Sequence, residues 1–566
     1  METDLRTLEE TVREATTILV GTVTTQEPRY GDDARRFIFT DYTFNVEDPL
    51  LAEPTIGNGT AVQLTFRGGT IGEETQAIGG MPMLVVGERY VLMLRPNWAE
   101  ISGIPLVGAS QGLLRVATDS GTNTSRVFDA TGLPVVLAGD TGLVRSTGAE
   151  RGLEDGVPLE AFVARLRTEL PRIKQAPPPE RPQVDRDDPR VLETFSLPVA
   201  TEPHRQTDQT ESQAPFTPTP MAEPERPERP NEQAVGDGEA LPSDKSPGFV
   251  QDGAANLPIV VNNFPSTFTP WSPEDQISMS SWNHYASDVF RVRTTPTSNW
   301  RYGDGVFDLA GWPDSATMKS QFGSTWEALG NPWAITFQRF NGRTIVEADM
   351  ALNPAQAWTL DDEWVYNGSG ARSFRRTMTH ELGHMLGLDH NFGGLSLMNY
   401  PPDKYRPFPV PFMDDAEGVR QIYPARVVQT ADLGIYLFRS IGYQNWVQAD
   451  FPASVRRGSS FTVTNYHLEN AGTQRFGTVS VEWYLTTVRN FNGSNFYLGT
   501  TTYPELNRFE FFDPPSTART LTVPSGVPAG SYFLAAFIRA DSSVDTNGFQ
   551  VNNSRSFSRT KIKVLS

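Results

Sequence analysis

The 566-residue chain is too long for one hydrophobic core, and its 33 Phe, 16 Tyr and 11 Trp exclude disorder throughout. A net charge of -19, from 67 acidic against 48 basic residues, argues against sequence-independent binding of nucleic acid or anionic membranes. The absence of cysteine excludes disulfides, thiolate metal sites and cysteine nucleophiles.

No run approaches the roughly 20 apolar residues that a membrane span takes. The opening METDLRTLEETVREATT lacks the basic and apolar regions of a secretory leader. A thiol-free chain of this size suits export, so the expectation is a secreted or cell-surface protein supplied without its leader.

In chain order, residues 17–23, 37–46, 60–66 and 89–94 are short β-branched or aromatic runs separated by Gly, Pro and Asp. In FIFTDYTFNV, Ile38, Tyr42, Phe44 and Val46 share one face, as a curved half-buried sheet requires. The pattern resembles a small closed barrel of the OB type. Leu159, Phe162, Val163, Leu166 and Leu170 then predict an amphipathic helix packing back on it, which gives an N-terminal unit over 1–172.

Residues 173–256 read as a linker, since 15 of the 44 prolines fall between Pro177 and Pro247 among polar and charged residues. One island, VLETFSLPV at 191–199, is more apolar and reads either as a docking segment or as variation within the linker. A mixed α/β unit follows over 257–426. A helix begins at Ser272 and Pro273, strand-like stretches come at 305–312, 332–340 and 344–352, and a second helix is capped by Ser373. From 427 to 566 alternating strands, with turn signals about every ten residues, suggest a β-sandwich of immunoglobulin type. Its phrasing resembles adhesion-type modules appended to exported bacterial enzymes, which makes a surface or polymer ligand its expected partner.

Three of the six histidines lie in HELGHMLGLDH, residues 380–390. On a helix His380 and His384 project from one face a turn apart, within reach of one ion. Glu381 sits at the flank, where its carboxylate can reach a water in the open position. Gly387 supplies a left-handed break that returns His390 as a third ligand. Three neutral imidazoles with a fourth position free are the donor set of a catalytic zinc, because structural zinc sites are usually closed by four protein ligands. An exposed helix can carry His and Glu at the first spacing by chance. Gly387 and His390 make the metal reading the stronger one.

These five residues match HExxHxxGxxH, and the chain resembles the metzincin metallopeptidases. Met398 in SLMNY stands where that family has its Met-turn, an apolar base beneath the zinc. TIVEADMALN (344–353) and MDDAEGVRQIYP (413–424) resemble the upper sheet strand and closing helix of matrixins, so the resemblance spans 257–424 and points to a bacterial matrixin-like enzyme. Two positions depart from matrixins and leave the subfamily open: Asn391 follows the third histidine, and Tyr400 stands two after Met398 as in astacins and serralysins. In those relatives the tyrosine stabilises the tetrahedral intermediate, and the other reading of Tyr400 is a ring packed on the Met-turn.

The resemblance implies zinc-dependent hydrolysis of protein substrates, with Glu381 as general base and then acid. The peptide is expected along an edge strand around 344–352, and the loop 401–412 beside the specificity pocket. Asp349, Asp361, Asp362, Asp414 and Asp415 offer hard ligands for calcium, or serve as solvated and capping carboxylates. The N-terminal unit reads as an intramolecular inhibitor or as a binding module. From a different class, the whole chain reads alternatively as a surface-binding protein or adhesin with an unproductive metzincin domain.

Overall fold

The computed structural model describes residues 6–566 apart from 146–155, 179–183, 193–253, 263–271, 293–301, 400–409, 424–431, 441–445, 513–517, 541–553 and shorter stretches between them. The chain is mostly β-sheet with few helices.

Helix α1 (Leu8–Glu14) begins on a capping box in which Thr7 and Glu10 satisfy each other's amides. The long strands β1 (Thr17–Tyr30) and β2 (Ile38–Leu51) and the shorter β3 (Ala61–Arg67) form an antiparallel meander. Strand β4 (Gly69–Ile71) and strand β5 (Glu74–Ile78) make a small hairpin that leaves this sheet. Strand β6 (Arg89–Leu94) returns beside β1. The next stretch reaches both sides of the sheet. Its start, β7 (Ser102–Gly103), runs parallel to β3, and its end, β8 (Leu113–Asp119), lies antiparallel to β6.

Strand β9 (Thr124–Asp129), hairpin β10 (Val135–Ala138) and β11 (Gly142–Arg145), and β12 (Val157–Pro158) complete the unit. The period of two along β1 sends Ile18 and Val20 to one core and Leu19 and Val23 to another. Helix α2 (Leu159–Gln175) covers the first of these with Leu159, Phe162, Val163 and Leu166, as the periodicity predicts, and runs three residues into the expected linker. Of the island 191–199 only Val191 and Leu192 lie among the described residues; the Leu192 amide donates to Trp358 O at 2.8 Å and its side chain packs on the central core.

The central unit comprises β13 (Ala254–Ala255), β14 (Ile259–Asn262), helix α3 (Ser272–Tyr285), β15 (Phe290–Val292), β16 (Phe307–Gly311), helix α4 (Ser315–Phe322), β17 (Ala334–Asn341) and β18 (Thr344–Leu352). Beyond them come β19 (Trp358–Thr359), α5 (Asp362–Tyr366), β20 (Arg372–Ser373), α6 (Phe374–Met385) and α7 (Met413–Ile422). The main sheet has the order β15-β14-β16-β18-β17-β5-β4, with β13 also on β18. Strands β14, β15, β16 and β18 are parallel, and β17 is antiparallel to β18.

One result corrects the sequence-based picture. Residues 344–352 form a strand as predicted, but it is interior, because β16 and β17 flank it. On the side of the triad the edge of the central unit is β17, and a strand from the N-terminal region, β5, already occupies it. The N-terminal and central units also pack together: Phe37, Ile78 and Leu84 share one core with Tyr302, Phe322 and Phe337. In the last unit, the strand Val479–Thr486 pairs with Asn495–Tyr503 and Gly530–Ala540, and Arg555–Leu565 follows. Around Trp483 and Tyr466 these strands enclose their own core, while Tyr436 and Phe438 join the central one.

Candidate metal centre

Helix α6 carries the first two histidines. Its N-cap is Ser373, whose hydroxyl accepts the Arg376 amide at 3.3 Å, as the sequence predicts. The helix lies against the core along its length, with Trp282 of α3 donating its indole N–H to Thr379 O at 2.8 Å. Just past its end Gly387 has φ +90, a conformation open to glycine and costly for a β-carbon, and the chain reverses there to bring back His390.

The three histidines converge. His390 Nε2 lies 3.1 Å from His380 Nε2 and 3.0 Å from His384 Nε2. His380 Nδ1 is 2.8 Å from Leu397 O, and His384 Nδ1 is 2.8 Å from Leu388 O. A carbonyl only accepts, so in both rings Nδ1 holds the proton and Nε2 presents a lone pair. Burial holds the His384 and His390 imidazoles well below the ordinary histidine range, and the neighbouring rings push the same way. Three lone pairs facing one point repel unless a cation stands between them. Zinc at about 2.0–2.1 Å from each nitrogen in a tetrahedral site would set the nitrogens about 3.3 Å apart, so the donor set fits that ion. Among the described residues this triad is the one group of three or more His, Asp or Glu side chains gathered closely enough to hold a metal.

Glu381 is fully buried beside the triad, and its Oε2 accepts the Thr336 hydroxyl at 2.6 Å. Met398 is also fully buried, with its sulfur against Gly383, where any added methyl carbon would lie 2.5 Å from it. The turn at Met398 is held from below by Asp415, which accepts Ser396 Oγ at 2.5 Å and the amides of Leu397, Phe412 and Met398 at 2.6, 2.8 and 3.2 Å. Burial lifts the Asp415 carboxyl to about 6 in spite of these donors. Asn391 donates to Asp414 at 2.8 Å and so ties the His390 turn to α7. Tyr400 and the loop at 401–409 lie outside the described residues.

The five aspartates considered for calcium do not gather. Asp414 and Asp415 have the partners just given, and Asp361 caps α5 by accepting the Trp364 amide. Asp362 accepts Ser373 Oγ and Arg375. Asp349 accepts the Asp308 amide in the sheet.

Sequence reasoning missed the groups that close over the triad. Strand β5 pairs antiparallel with β17 from Glu74↔Asn341 to Ile78↔Phe337, and the ladder continues with Gly79 N–H donating to Thr336 O at 3.0 Å. Gly79 and Gly80 then lie on the histidines. An added methyl carbon would lie 2.6 Å from His384 Cγ at Gly79 and 1.9 Å from His390 Cε1 at Gly80. Asp389 accepts the amide of His390 at 2.7 Å, and burial raises its carboxyl to about 6. A Gly-Gly pair ending an alternating run was the signal available in the sequence. Glycine pairs mark turns, and nothing local shows what this one would face.

Residues 323–424 match the family model for matrixins. This stretch holds the histidine triad, Glu381, Met398 and α7, so over 323–424 the chain is similar to matrixins, a family that implies a catalytic zinc. No curated protein matches the chain. Among solved structures, a Niemann-Pick type C2 protein from Japanese carpenter ant is 11% identical with a TM-score of 0.16, over 24% of this chain and 95% of its own. Spo0M, a sporulation control protein from Bacillus subtilis, is 10% identical with a TM-score of 0.14, over 25% and 51%. A Bacillus amyloliquefaciens CBM33 protein is 14% identical with a TM-score of 0.12, over 22% and 64%. The matrixin-like segment resembles its family by motif and profile, and these three likenesses add nothing to that assignment.

Proposed function

We propose that the chain is a zinc-dependent endopeptidase of matrixin-like type, with His380, His384 and His390 as the metal ligands. The observation that carries this reading is the meeting of three Nε2 atoms beside the buried Glu381 carboxylate. Bound zinc supplies Lewis acidity, which polarises a peptide carbonyl and makes water acidic near neutral pH. Glu381 accepts the proton of the attacking water and delivers it to the leaving amine nitrogen. Thr336 fixes one oxygen of that carboxylate, and the Leu397 and Leu388 carbonyls fix the imidazole tautomers. Met398 and Gly387 shape the floor and the returning turn, and Tyr400 is assigned to stabilising the tetrahedral intermediate.

The remaining parts of the reading are of the same standing. The N-terminal strand order, with one stretch reaching β3 and β6 at its two ends, supports an OB-like barrel. Packed, mostly antiparallel sheets support an immunoglobulin-like sandwich at the C-terminus, where a surface ligand would bind. Export by a bacterium fits a thiol-free acidic chain.

Zinc loading followed by casein-type digestion, beside Glu381→Ala, tests the enzyme. One zinc per chain with no Glu381-dependent cleavage, in the native chain and with Gly80 replaced by Val, would favour a surface-binding protein instead.

A further inference from the structure

We infer that strand β5 and the Gly79–Gly80 turn are a built-in inhibitor that occupies the substrate groove; the inference rests on the peptidase reading. Extended peptides are recognised by main-chain pairing to a free sheet edge. In the central unit β17 is that edge on the side of the triad, and β5 covers it from Asn341 to Thr336. A substrate and β5 compete for one row of amides and carbonyls.

The end of β5 distinguishes an inhibitor from a bound substrate. Met81 N–H donates to Ile78 O at 3.0 Å, and Gly80 has φ +74, so residues 78–81 make a tight turn with a left-handed third residue. The chain bends away where a scissile bond would have to continue extended. Only glycine fits at the bend, because a β-carbon would strike His384 or His390. The backbone therefore fills the space over the triad.

The barrel grips the insert from behind. Gln76 is buried, and its Oε1 accepts Arg67 Nη1 at 2.9 Å and the Ile38 amide at 3.0 Å. Arg67 in turn donates to Phe322 O of the central unit at 2.8 Å. Ile78, Met81 and Leu84 are part of the core shared by the two units. A folded scaffold thus presents the insert at very high effective concentration, which a peptide in solution cannot match.

Hydrogen exchange on the full zinc-loaded chain, together with titration by a fluorescent peptide hydroxamate, tests this. Amides 75–79 should exchange as slowly as those of α6. Gly80→Val, which acts on the turn, and Ala77→Pro, which strips a donor from the ladder, should speed exchange there and leave α6 protected. Each should raise hydroxamate affinity and peptide turnover at least tenfold. Free exchange of 75–79 in the wild type, or opened variants with no gain in hydroxamate affinity, would overturn the inference. Tight hydroxamate binding without cleavage in the opened variants would count against the peptidase reading alone, so the two failures are separable.

Discussion

Thr336 touches both sides of the problem: its hydroxyl donates to Glu381 Oε2 at 2.6 Å, and its carbonyl accepts the Gly79 amide at 3.0 Å. On the proposed reading, the residue that orients the general base is also the last rung of the inhibitory ladder. Thr336→Val keeps the volume and the carbonyl and removes the hydroxyl. A hydrogen bond to a buried carboxylate contributes about 1.5–3 kcal/mol, so kcat should fall roughly 10- to 100-fold, with zinc content and exchange at 75–79 unchanged. Kinetics in the Gly80→Val background, where the groove is open, give the readout. An unchanged kcat would remove Thr336 from the machinery.

Metal should stabilise the fold as well as act in catalysis. The Nε2 lone pairs of His380 and His384 are set by the carbonyls of Leu397 and Leu388 before any ion arrives. Zinc at about a thousandfold above its Kd should stabilise the native chain by about 4 kcal/mol. Calorimetry should show a rise in Tm on adding zinc, reversed by a chelator. His384→Ala should abolish the rise, and its persistence would mean that the ion binds elsewhere.

Asp415 is the anchor of the Met398 turn. Asp415→Ala removes the buried acceptor of the Leu397 and Phe412 amides and of the Ser396 hydroxyl. Such a loss costs about 3–5 kcal/mol. Since Leu397 O orients His380, zinc affinity should fall together with stability. Isothermal titration and thermal melts check the pairing of the two losses, and a loss of stability with full zinc affinity would contradict it.

Arg67 joins the N-terminal unit to the central unit through Phe322 O, Ile38 O and Gln76 Oε1. Arg67→Met retains the apolar stem and strips these acceptors of their donor, at a cost of about 2–4 kcal/mol. Lower Tm and faster exchange at 75–79 should appear together. Faster exchange without a change in Tm would place the effect on the insert alone.

Asp349 gives a dependence on pH. Burial, and then the charges of Glu347, Asp308 and Asp304, raise its carboxyl well above the ordinary aspartate value. The native state holds this proton more tightly than the unfolded chain, so the contribution of Asp349 to stability falls as pH rises above about 4 and levels off once its native pKa is passed. Asp349→Asn removes that fall. The variant should melt near the wild type at pH 4 and above it at pH 7. Equal Tm differences at both pH values would show that Asp349 titrates as an ordinary carboxylate.

Periodicity and spacing alone determined a good deal. Strands such as β18 and helices such as α2 and α6 were legible because alternation or 3.6-residue recurrence is local, and Ser373 and Gly387 announced the ends of α6 by their own backbone preferences. The triad was legible for the same reason, since all of its ligands fall within eleven residues of one helix and turn. Tertiary structure alone decided which strand is the edge and what covers it. Strand order in a sheet depends on contacts between residues far apart in sequence: β5 meets β17 across some 260 positions, and Gly80 meets His390 across 310. No local pattern encodes such a meeting. A Gly-Gly pair that reads as an ordinary turn therefore becomes, once folded, the backbone that closes over the metal centre.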